Sequence, residues 1–220
     1  MEKYLNHTYY IDSDHPKVFE FARLNCEQCV TDIEKAIRLY YSVRDGIRYN
    51  PYSIEPVKES MKASSILNKG YGYCVAKAVL LAACARSQGI PARLGFADVK
   101  NHLNTRRLQE LMGTDVFVYH GYTELFLKGK WVKATPAFNL ELCNNFNVKP
   151  LEFDATKDSI FHALDKKGNK HMEYVKQHGS FSDLPWDRIL SELMKSYPTY
   201  FEDQKRRSGD FSAEALKENH

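Results

Sequence analysis

The sequence predicts an α+β fold in which N-terminal helices pack on an antiparallel β-sheet. Apolar and alanine residues follow helix-forming patterns over much of residues 14–88, whereas residues 93–135 are rich in β-branched and aromatic residues. A Lys128-Gly129 pair separates two of the strand-like runs and predicts a two-residue hairpin loop. We therefore expect helices first and a sheet after them.

The first helices are predicted from spacing and from turn residues. Residues 14–25 are expected to form a helix with Pro16 near its first turn. Residues 29–46 carry an apolar stripe at helical spacing and form the second helix. Residues 47–60 contain prolines and turn residues, which predict a surface loop, and a short helix over residues 60–68 follows.

A glycine-rich turn then leads into the most informative helix of the chain. Gly70-Tyr71-Gly72-Tyr73-Cys74 precedes a run from Val75 to Gln88 that is rich in alanine and holds no Gly or Pro. Gly89 is placed to end that helix, with Pro91 beyond it. Cys74 thus lies at a helix N-terminus, where the dipole and free N–H groups favour an anion. We expect its thiol to ionise more easily than that of a free cysteine and to serve as a nucleophile.

Strands follow the central helix. Residues 93–99 are expected to form the first of these strands, and a polar excursion with a helix near residues 106–112 comes next. Residues 115–127 and 131–135 are expected to form the two strands of the hairpin.

The hairpin register places a histidine among polar neighbours. With a two-residue loop at Lys128-Gly129, His120 comes opposite Ala137. Thr135 and Asn139 are then its diagonal neighbours on the same face, at a backbone spacing of about 7–8 Å. A register slip of one residue would reverse the faces. His120 is therefore a candidate general base.

The remainder of the chain is less regular. Residues 141–185 mix polar and aromatic residues, with a turn or hairpin expected at residues 165–169. Residues 186–194 carry apolar residues at helical spacing and predict a further helix. The polar tail after Phe201 is expected to be frayed or disordered.

Five segments of the chain follow one another in the order of a known family pattern. They are Ala63-Ser64-Ser65-Ile66-Leu67, Gly72-Tyr73-Cys74, Gly89-Ile90-Pro91-Ala92-Arg93, His120-Gly121-Tyr122-Thr123-Glu124 and Gly129-Lys130-Trp131-Val132. In these segments the sequence resembles the transglutaminase-like superfamily of papain-like cysteine enzymes, over roughly residues 30–140. The resemblance implies a papain-like fold in which Cys74 is the nucleophile and His120 is the general base.

One position departs from the family pattern. The family places an aspartate before a proline in the second hairpin strand, and that aspartate orients the histidine. Here Thr135 precedes Pro136, and a threonine brings no negative charge to the imidazolium. Either Thr135 serves as a weakened substitute, or Asn139 takes the role in a Cys-His-Asn arrangement, or activity is reduced or lost.

The resemblance implies acyl transfer through a thioester on a peptide or protein substrate. His120 would accept the thiol proton, Cys74 would attack an amide carbonyl, and His120 would then protonate the leaving amine. The Cys74 N–H would be one oxyanion donor, with Tyr71 or Tyr49 as the second. Water as acceptor gives a peptidase or amidase, and a lysine amine gives a transglutaminase. The hydrolytic outcome is favoured, and the mechanism needs no metal or organic cofactor.

Two alternatives stay open. Thr135 is compatible with a non-catalytic binding module that keeps the fold and has lost the chemistry. An arylamine-transferring enzyme with the same Cys-His pair would need a coenzyme pocket, for which the sequence contains no pattern.

Composition narrows the setting. A chain of 220 residues with 43% hydrophobic content can bury one good core, so one domain is expected over residues 1–200, with a core at about 30–140 and a polar tail at 201–220. The formal charge of +3 is nearly balanced and Lys205-Arg206-Arg207 is the one basic block, so no nucleic-acid partner is expected.

The expected location is the cytoplasm. The N-terminus lacks the apolar core of a signal peptide, and no segment approaches the roughly 20 apolar residues of a membrane span, so no membrane partner is expected. Five cysteines at irregular spacing suit a reducing compartment. The oligomeric state is not predicted.

Other candidate ligands carry less chemistry. Cys26 and Cys29 have the spacing of a metal or redox pair, but they fall within a helical pattern and lack a second pair, so no metal site is expected. His162, His171 and His178 lie in a polar stretch without an i, i+4 partner set, and we expect them to be solvated.

Overall fold

The computed structural model describes residues 1–101, 104–160, 172–202 and 209–219. Within those ranges, four of the nine helices precede the first strand of the main sheet, as the sequence predicts, and the other five come between or after its strands. The helices are α1 (Pro16–Asn25), α2 (Asp32–Gly46), α3 (Ala63–Lys69), α4 (Cys74–Ser87), α5 (Arg106–Met112), α6 (Leu140–Asn145), α7 (Trp186–Ser196), α8 (Pro198–Glu202) and α9 (Phe211–Asn219). The strands are β1 (Arg48–Tyr49), β2 (Tyr71–Gly72), β3 (Ala92–Asn101), β4 (Val116–Leu127), β5 (Lys130–Ala134) and β6 (Met172–Phe181).

The main sheet is antiparallel and has the strand order β5-β4-β3-β6. A separate parallel pair joins β1 to β2, with Arg48 opposite Tyr71. That pair holds the segment before α4 beside the chain that leaves α2. A helical layer on an antiparallel sheet confirms the predicted α+β class.

The hairpin has the predicted register over the length of β5. Its two-residue loop, Lys128-Gly129, has positive φ values of 48° and 81°, which match the right-handed twist of the flanking strands. Leu127 pairs with Lys130, and the ladder continues to Thr123 opposite Ala134. β5 ends at Ala134, so the predicted pairing of His120 with Ala137 does not form. The predicted pairing stops at Thr135, the residue before Pro136. Proline has no N–H to donate to a ladder.

α4 is at the centre of the fold. Every residue from Cys74 to Arg86 is buried, and α1, α2, α3, β3 and β4 all pack against this helix. A Cβ on Gly121 would lie 2.8 Å from the Val75 Cα, so β4 crosses the first turn of α4 at backbone contact. Glycine is required at this crossing because any side chain would separate the strand from the helix.

The connection between α1 and α2 differs from the prediction. α2 begins at Asp32 after Thr31, whose Oγ1 accepts from the Glu34 N–H in a capping box. Cys26 and Cys29 therefore lie in a turn between two helices instead of inside a helical pattern, with the Cys29 N–H donating to the Cys26 carbonyl. The capping residues decide the helix start, because they satisfy N–H groups that an earlier start would leave without partners.

The C-terminal part holds two features that the sequence does not predict. β6 adds a fourth strand along β3, where an irregular segment was expected. The expectation of a frayed tail is wrong for residues 209–219, because α9 packs on α6 with Phe211 and Ala215 buried. The Ser212 hydroxyl and carbonyl both accept from Asn145 Nδ2. The expected turn at residues 165–169 lies outside the described residues.

Candidate active site

Cys74 is the first residue of α4, at the end of the short strand β2. The preceding residue, Tyr73, is extended, and no side chain caps the first turn. A Cβ on Gly72 would lie 2.8 Å from the Ala76 Cβ, so the approach to the helix needs glycine. The predicted turn-to-helix placement of Cys74 is confirmed. Uncapped N–H groups at such a start are available to an anion.

The expectation of an easily ionised thiol is wrong for the state that the structure shows. Burial raises the pKa of Cys74 to about 11, although the backbone N–H groups of Gly121, Val75 and Cys74 itself lower it. Cys74 is only 7% exposed. Loss of hydration therefore outweighs the helix N-terminus, and the isolated thiol is a weak acid.

His120 lies on β4 and is brought to the same place. It is 4% exposed, and it lines, together with Cys74, a cavity of about 30 Å³. Cys74 and His120 come together because Gly121 crosses Val75 closely, which fixes β4 against the first turn of α4. The two residues that the sequence singles out for chemistry thus share one cavity.

Five of the twelve residues that line the cavity are Tyr or Phe, and one of these five connects two elements. The Tyr197 hydroxyl, at the end of α7, donates to the Val116 carbonyl at 2.9 Å and accepts from the Val118 N–H at 2.6 Å. It satisfies the edge of β4 beyond the part that β5 covers. The aromatic lining residues are Tyr49, Tyr73, Phe117, Tyr119 and Tyr197.

Thr135 is buried at 4% exposure just beyond β5 and is not among the residues that line the cavity. Its Oγ1 donates to the Ile160 carbonyl at 3.2 Å, and its N–H donates to the Ser159 carbonyl. A hydroxyl that donates once keeps lone pairs to accept a bond. Thr135 thus retains the chemical capacity to accept from an imidazole.

Asn139 is also buried and is also absent from the cavity lining. Its Oδ1 accepts from the Tyr49 N–H at 3.1 Å, and the side chain does not cap α6, which begins at the next residue. Asn139 therefore holds the backbone of an aromatic wall residue. Its role toward His120 stays a prediction, as does that of Thr135.

The two candidates for a second oxyanion donor, Tyr49 and Tyr71, lie in different places. Tyr49 lines the cavity and is fully enclosed, so burial raises its pKa well above the usual value, with a further contribution from Cys74. Tyr71 is half-buried in β2 and does not line the cavity. The structure therefore brings Tyr49, and not Tyr71, to the pair.

A buried lysine that sequence reasoning overlooked lies one turn beyond Cys74. Lys77 is fully buried, and its Nζ donates to the carbonyls of Arg44, Ile47 and Ala137 at 2.8, 2.6 and 2.7 Å. It joins α4 to the end of α2 and to the loop that carries Asn139. The signal that could have found it is a lysine in the interior of an alanine-rich run without a polar face, where the other charged residue, Arg86, lies near the end.

The expectation of solvated histidines is wrong for His178. Its side chain is only 6% exposed, and its Nε2 lies 2.7 Å from Asp98 Oδ1. The side chain is enclosed because β6 is a sheet strand, which the sequence analysis did not predict. His162 and His171 lie outside the described residues.

In the part of the chain that the structure describes, no helix has the length and apolarity needed to cross a membrane. Among the same residues, no group of three or more His, Cys, Asp or Glu is placed to hold a metal ion.

Comparison with known proteins places the chain in a family. No curated protein matches it. Among solved structures, a "putative cysteine protease" from Cytophaga hutchinsonii is 19% identical with a TM-score of 0.48, over 80% of this chain and 53% of that protein. A "putative protease" from Parabacteroides distasonis is 15% identical with a TM-score of 0.38, over 54% of this chain and 22% of that protein. The chain thus spans about half the length of the first and less of the second.

The sequence pattern of one family matches residues 21–136, a range that includes Cys74, His120 and Thr135. This range is more than half of the 220 residues. The chain therefore belongs to the transglutaminase-like superfamily.

Proposed function

We propose that this chain is a cysteine enzyme that acts on amide bonds of a peptide or protein by acyl transfer through a thioester. The observation that carries the proposal is the shared cavity of Cys74, at the first turn of a buried helix, and His120, on the strand that crosses that turn. Family membership supports the same pair.

The first half of the reaction forms the thioester. His120 accepts the proton from the Cys74 thiol while the sulfur attacks the carbonyl carbon of the substrate amide. The carbonyl oxygen becomes an oxyanion, and the Cys74 N–H at the uncapped helix start is one donor to it. Collapse of this intermediate breaks the C–N bond, and the imidazolium gives its proton to the leaving amine.

The second half releases the acyl group. Water, deprotonated by His120, attacks the thioester, and the sulfur leaves and regains its proton from the imidazolium. The products are a carboxylic acid and the free thiol. An amine in place of water gives an amide instead, which would be a transferase reaction. We propose hydrolysis as the principal outcome.

The acidity of Cys74 explains why a base is needed. With a pKa of about 11, the isolated thiol holds roughly one thiolate in 10⁴ molecules at pH 7. Proton transfer to His120 during attack avoids dependence on that small fraction. Thr135, through its hydroxyl, or Asn139, through its amide oxygen, would hold the imidazole in place, and we keep both as candidates.

Location and partners follow as part of the proposal. The five cysteines are free thiols in the structure, which suits a reducing compartment, and we propose a cytoplasmic enzyme. Its substrate would be a peptide or a protein, without a nucleic-acid or membrane partner.

The test measures alkylation of each cysteine by iodoacetamide across pH, with the modified residues identified by mass spectrometry. We expect Cys74 of the parent to react at neutral pH, and Cys74 of His120→Ala to react appreciably only as the pH approaches 11. Cys29 is half-buried and serves as the internal reference, since Cys84 and Cys143 are fully buried. Identical Cys74 profiles for the parent and His120→Ala would overturn the assignment of the base.

Activity is tested with fluorogenic peptide amides and with incorporation of a labelled amine into a glutamine-containing protein. Hydrolysis without amine incorporation supports the proposal, and incorporation alone assigns a transferase. Cys74→Ala is expected to abolish either reaction and to keep the fold. An alanine variant that keeps parent turnover would show that Cys74 is not the nucleophile.

A binding module is the second candidate. The observations that favour it are the raised pKa of Cys74 and the absence of a carboxylate at Thr135. If the parent and His120→Ala share one alkylation profile and neither activity is detected, this reading replaces the enzyme.

A further inference from the structure

The residue before His120 has an unusual backbone conformation. Tyr119 has a φ of 54°, in the left-handed region that bulky side chains avoid. Such a conformation costs roughly 1–2 kcal/mol for a residue with a Cβ. It persists only where surrounding contacts impose it, and such positions cluster at functional sites.

The conformation belongs to a bulge in β4. Ala97 pairs with His120 and Val99 pairs with Phe117, so two residues of β4 stand opposite Asp98 alone. A bulge of this kind breaks the ladder, bends the strand and redirects the neighbouring side chains. Here the redirected stretch runs directly into His120.

Asp98 holds the bulge from the neighbouring strand. Its Oδ1 accepts from the Tyr119 N–H at 2.9 Å and lies 2.7 Å from His178 Nε2. A carboxylate only accepts, so Nε2 is the donor. The side chains of Asp98 and His178 are 13% and 6% exposed, so water competes little for these bonds.

His178 contacts Tyr119 as well, from β6, the strand on the other side of β3. It falls in a bulge of β6, where Phe96 pairs with Gly179 and Ala97 pairs with Gln177. Its ring stacks on the Tyr119 ring, with centroids 3.9 Å apart and planes 13° apart. Asp98 therefore accepts a hydrogen bond from the Tyr119 backbone, while His178, which donates to Asp98, packs on the Tyr119 side chain.

We propose that Asp98 and His178 are positioning residues that impose the left-handed conformation of Tyr119 and thereby aim His120 at Cys74. This inference rests on the proposed function of His120 as the base. Pairing with β3 holds Phe117 and His120 at the two ends of the bulge, so relaxation of Tyr119 would move Val118 and Tyr119 and turn His120 where the ladder resumes. A small displacement of a general base is enough to slow proton transfer.

A role through the Tyr119 backbone makes a specific prediction about the conservative variant. Asp98→Ala removes the acceptor of the Tyr119 N–H, and Tyr119 can relax to a negative φ. Asp98→Asn keeps an oxygen that can accept from the same N–H. Asp98→Asn should therefore keep most of the Cys74 reactivity that Asp98→Ala loses, whereas a role of the Asp98 charge alone would make the two variants equally slow.

The experiment measures the pH profile of Cys74 alkylation for folded variants. We expect Asp98→Ala and His178→Ala to react at least about tenfold more slowly than the parent at neutral pH. Asp98→Asn, which keeps an acceptor oxygen, should lose less than Asp98→Ala.

Asp115→Ala is the matched control, since Asp115 precedes the same strand and pairs with the exposed Lys100 at 3.1 Å. The inference is overturned if Asp98→Ala and His178→Ala keep the parent profile, or if Asp98→Asn loses as much as Asp98→Ala. If Asp98→Ala does not fold, the profile of His178→Ala decides the same question.

Failure of the proposed function looks different from failure of this inference. In the first case, the parent and His120→Ala share one profile. In the second, those two differ while Asp98→Ala follows the parent.

Discussion

Lys77→Met is expected to be among the most destabilising single substitutions in the helical layer. The Lys77 ammonium donates to three backbone carbonyls, and three acceptors match the three N–H groups of the charged form. Burial lowers the pKa of Lys77 well below its usual value, and the negative charge of Asp45 offsets only part of this shift. The three bonds favour the charged form, which we assign at neutral pH.

The magnitude follows from what methionine leaves behind. Each hydrogen bond from a charged donor contributes about 1.5–3 kcal/mol, and each carbonyl left without a partner costs about 1–3 kcal/mol. Relief of the buried charge offsets several kcal/mol of this loss. We expect a net loss of about 3–5 kcal/mol in the free energy of unfolding, because three buried carbonyls lose their partner and the relief of the charge offsets only part of that loss.

Urea unfolding followed by far-UV circular dichroism measures this loss. Lys195→Met is the control, because Lys195 is 68% exposed and pairs with Glu192 on the same helix turn, where such a pair is worth about 0.5 kcal/mol or less. A Lys77→Met variant within about 1 kcal/mol of the parent would refute the reasoning, since that is the size of a surface effect.

The pH dependence gives a second reading of the same substitution. Between its lowered pKa and its usual one, the folded state binds fewer protons at Lys77 than the unfolded state does. The stability of the parent should therefore gain a rising contribution as the pH increases through that window, and Lys77→Met should lack it.

Three further substitutions test the surroundings of the cavity. Gly121→Ala places a Cβ 2.8 Å from the Val75 Cα, so it should cost about 1–3 kcal/mol in urea unfolding and slow Cys74 alkylation; unchanged values would show that the crossing can open. If Asn139 orients the imidazole, Asn139→Ala should reduce turnover more than Thr135→Ala, the reverse order would favour Thr135, and parent-like rates for both would exclude each as the third member. Tyr197→Phe removes the hydroxyl that bonds two backbone groups of β4 and should lower stability by about 1–3 kcal/mol by thermal unfolding, with no loss expected only if those groups find other partners.

The central helix and the hairpin could be predicted because local signals decide them. The glycine approach to Cys74, the alanine-rich run and Gly89 beyond it belong to one continuous stretch, and α4 forms over it. The Lys128-Gly129 loop sets the register of β4 and β5 in the same local way.

β6 could not be predicted because its stability comes from β3, which lies more than 70 residues earlier in the chain. Its sequence mixes polar and aromatic residues without a clean alternation, and two bulges interrupt its register. Strand propensity depends on such neighbours more than on the residues themselves. The wrong prediction that His178 is solvated follows from the failure to predict β6.

The acidity of Cys74 could not be predicted for a related reason. A helix N-terminus is a local feature and favours the thiolate, whereas burial depends on every element packed around α4. The structure shows that burial is the larger effect. In the proposed mechanism the reaction would therefore depend on the imidazole more than on the helix, and the orientation of His120 would decide the activity. The family's aspartate would have supplied that orientation with a charge from β5, but here the strand ends at Ala134 and Thr135 follows. Asp98 on β3 and His178 on β6 both contact Tyr119. In our proposal they orient His120 through the backbone of Tyr119, instead of through a carboxylate at the imidazole ring.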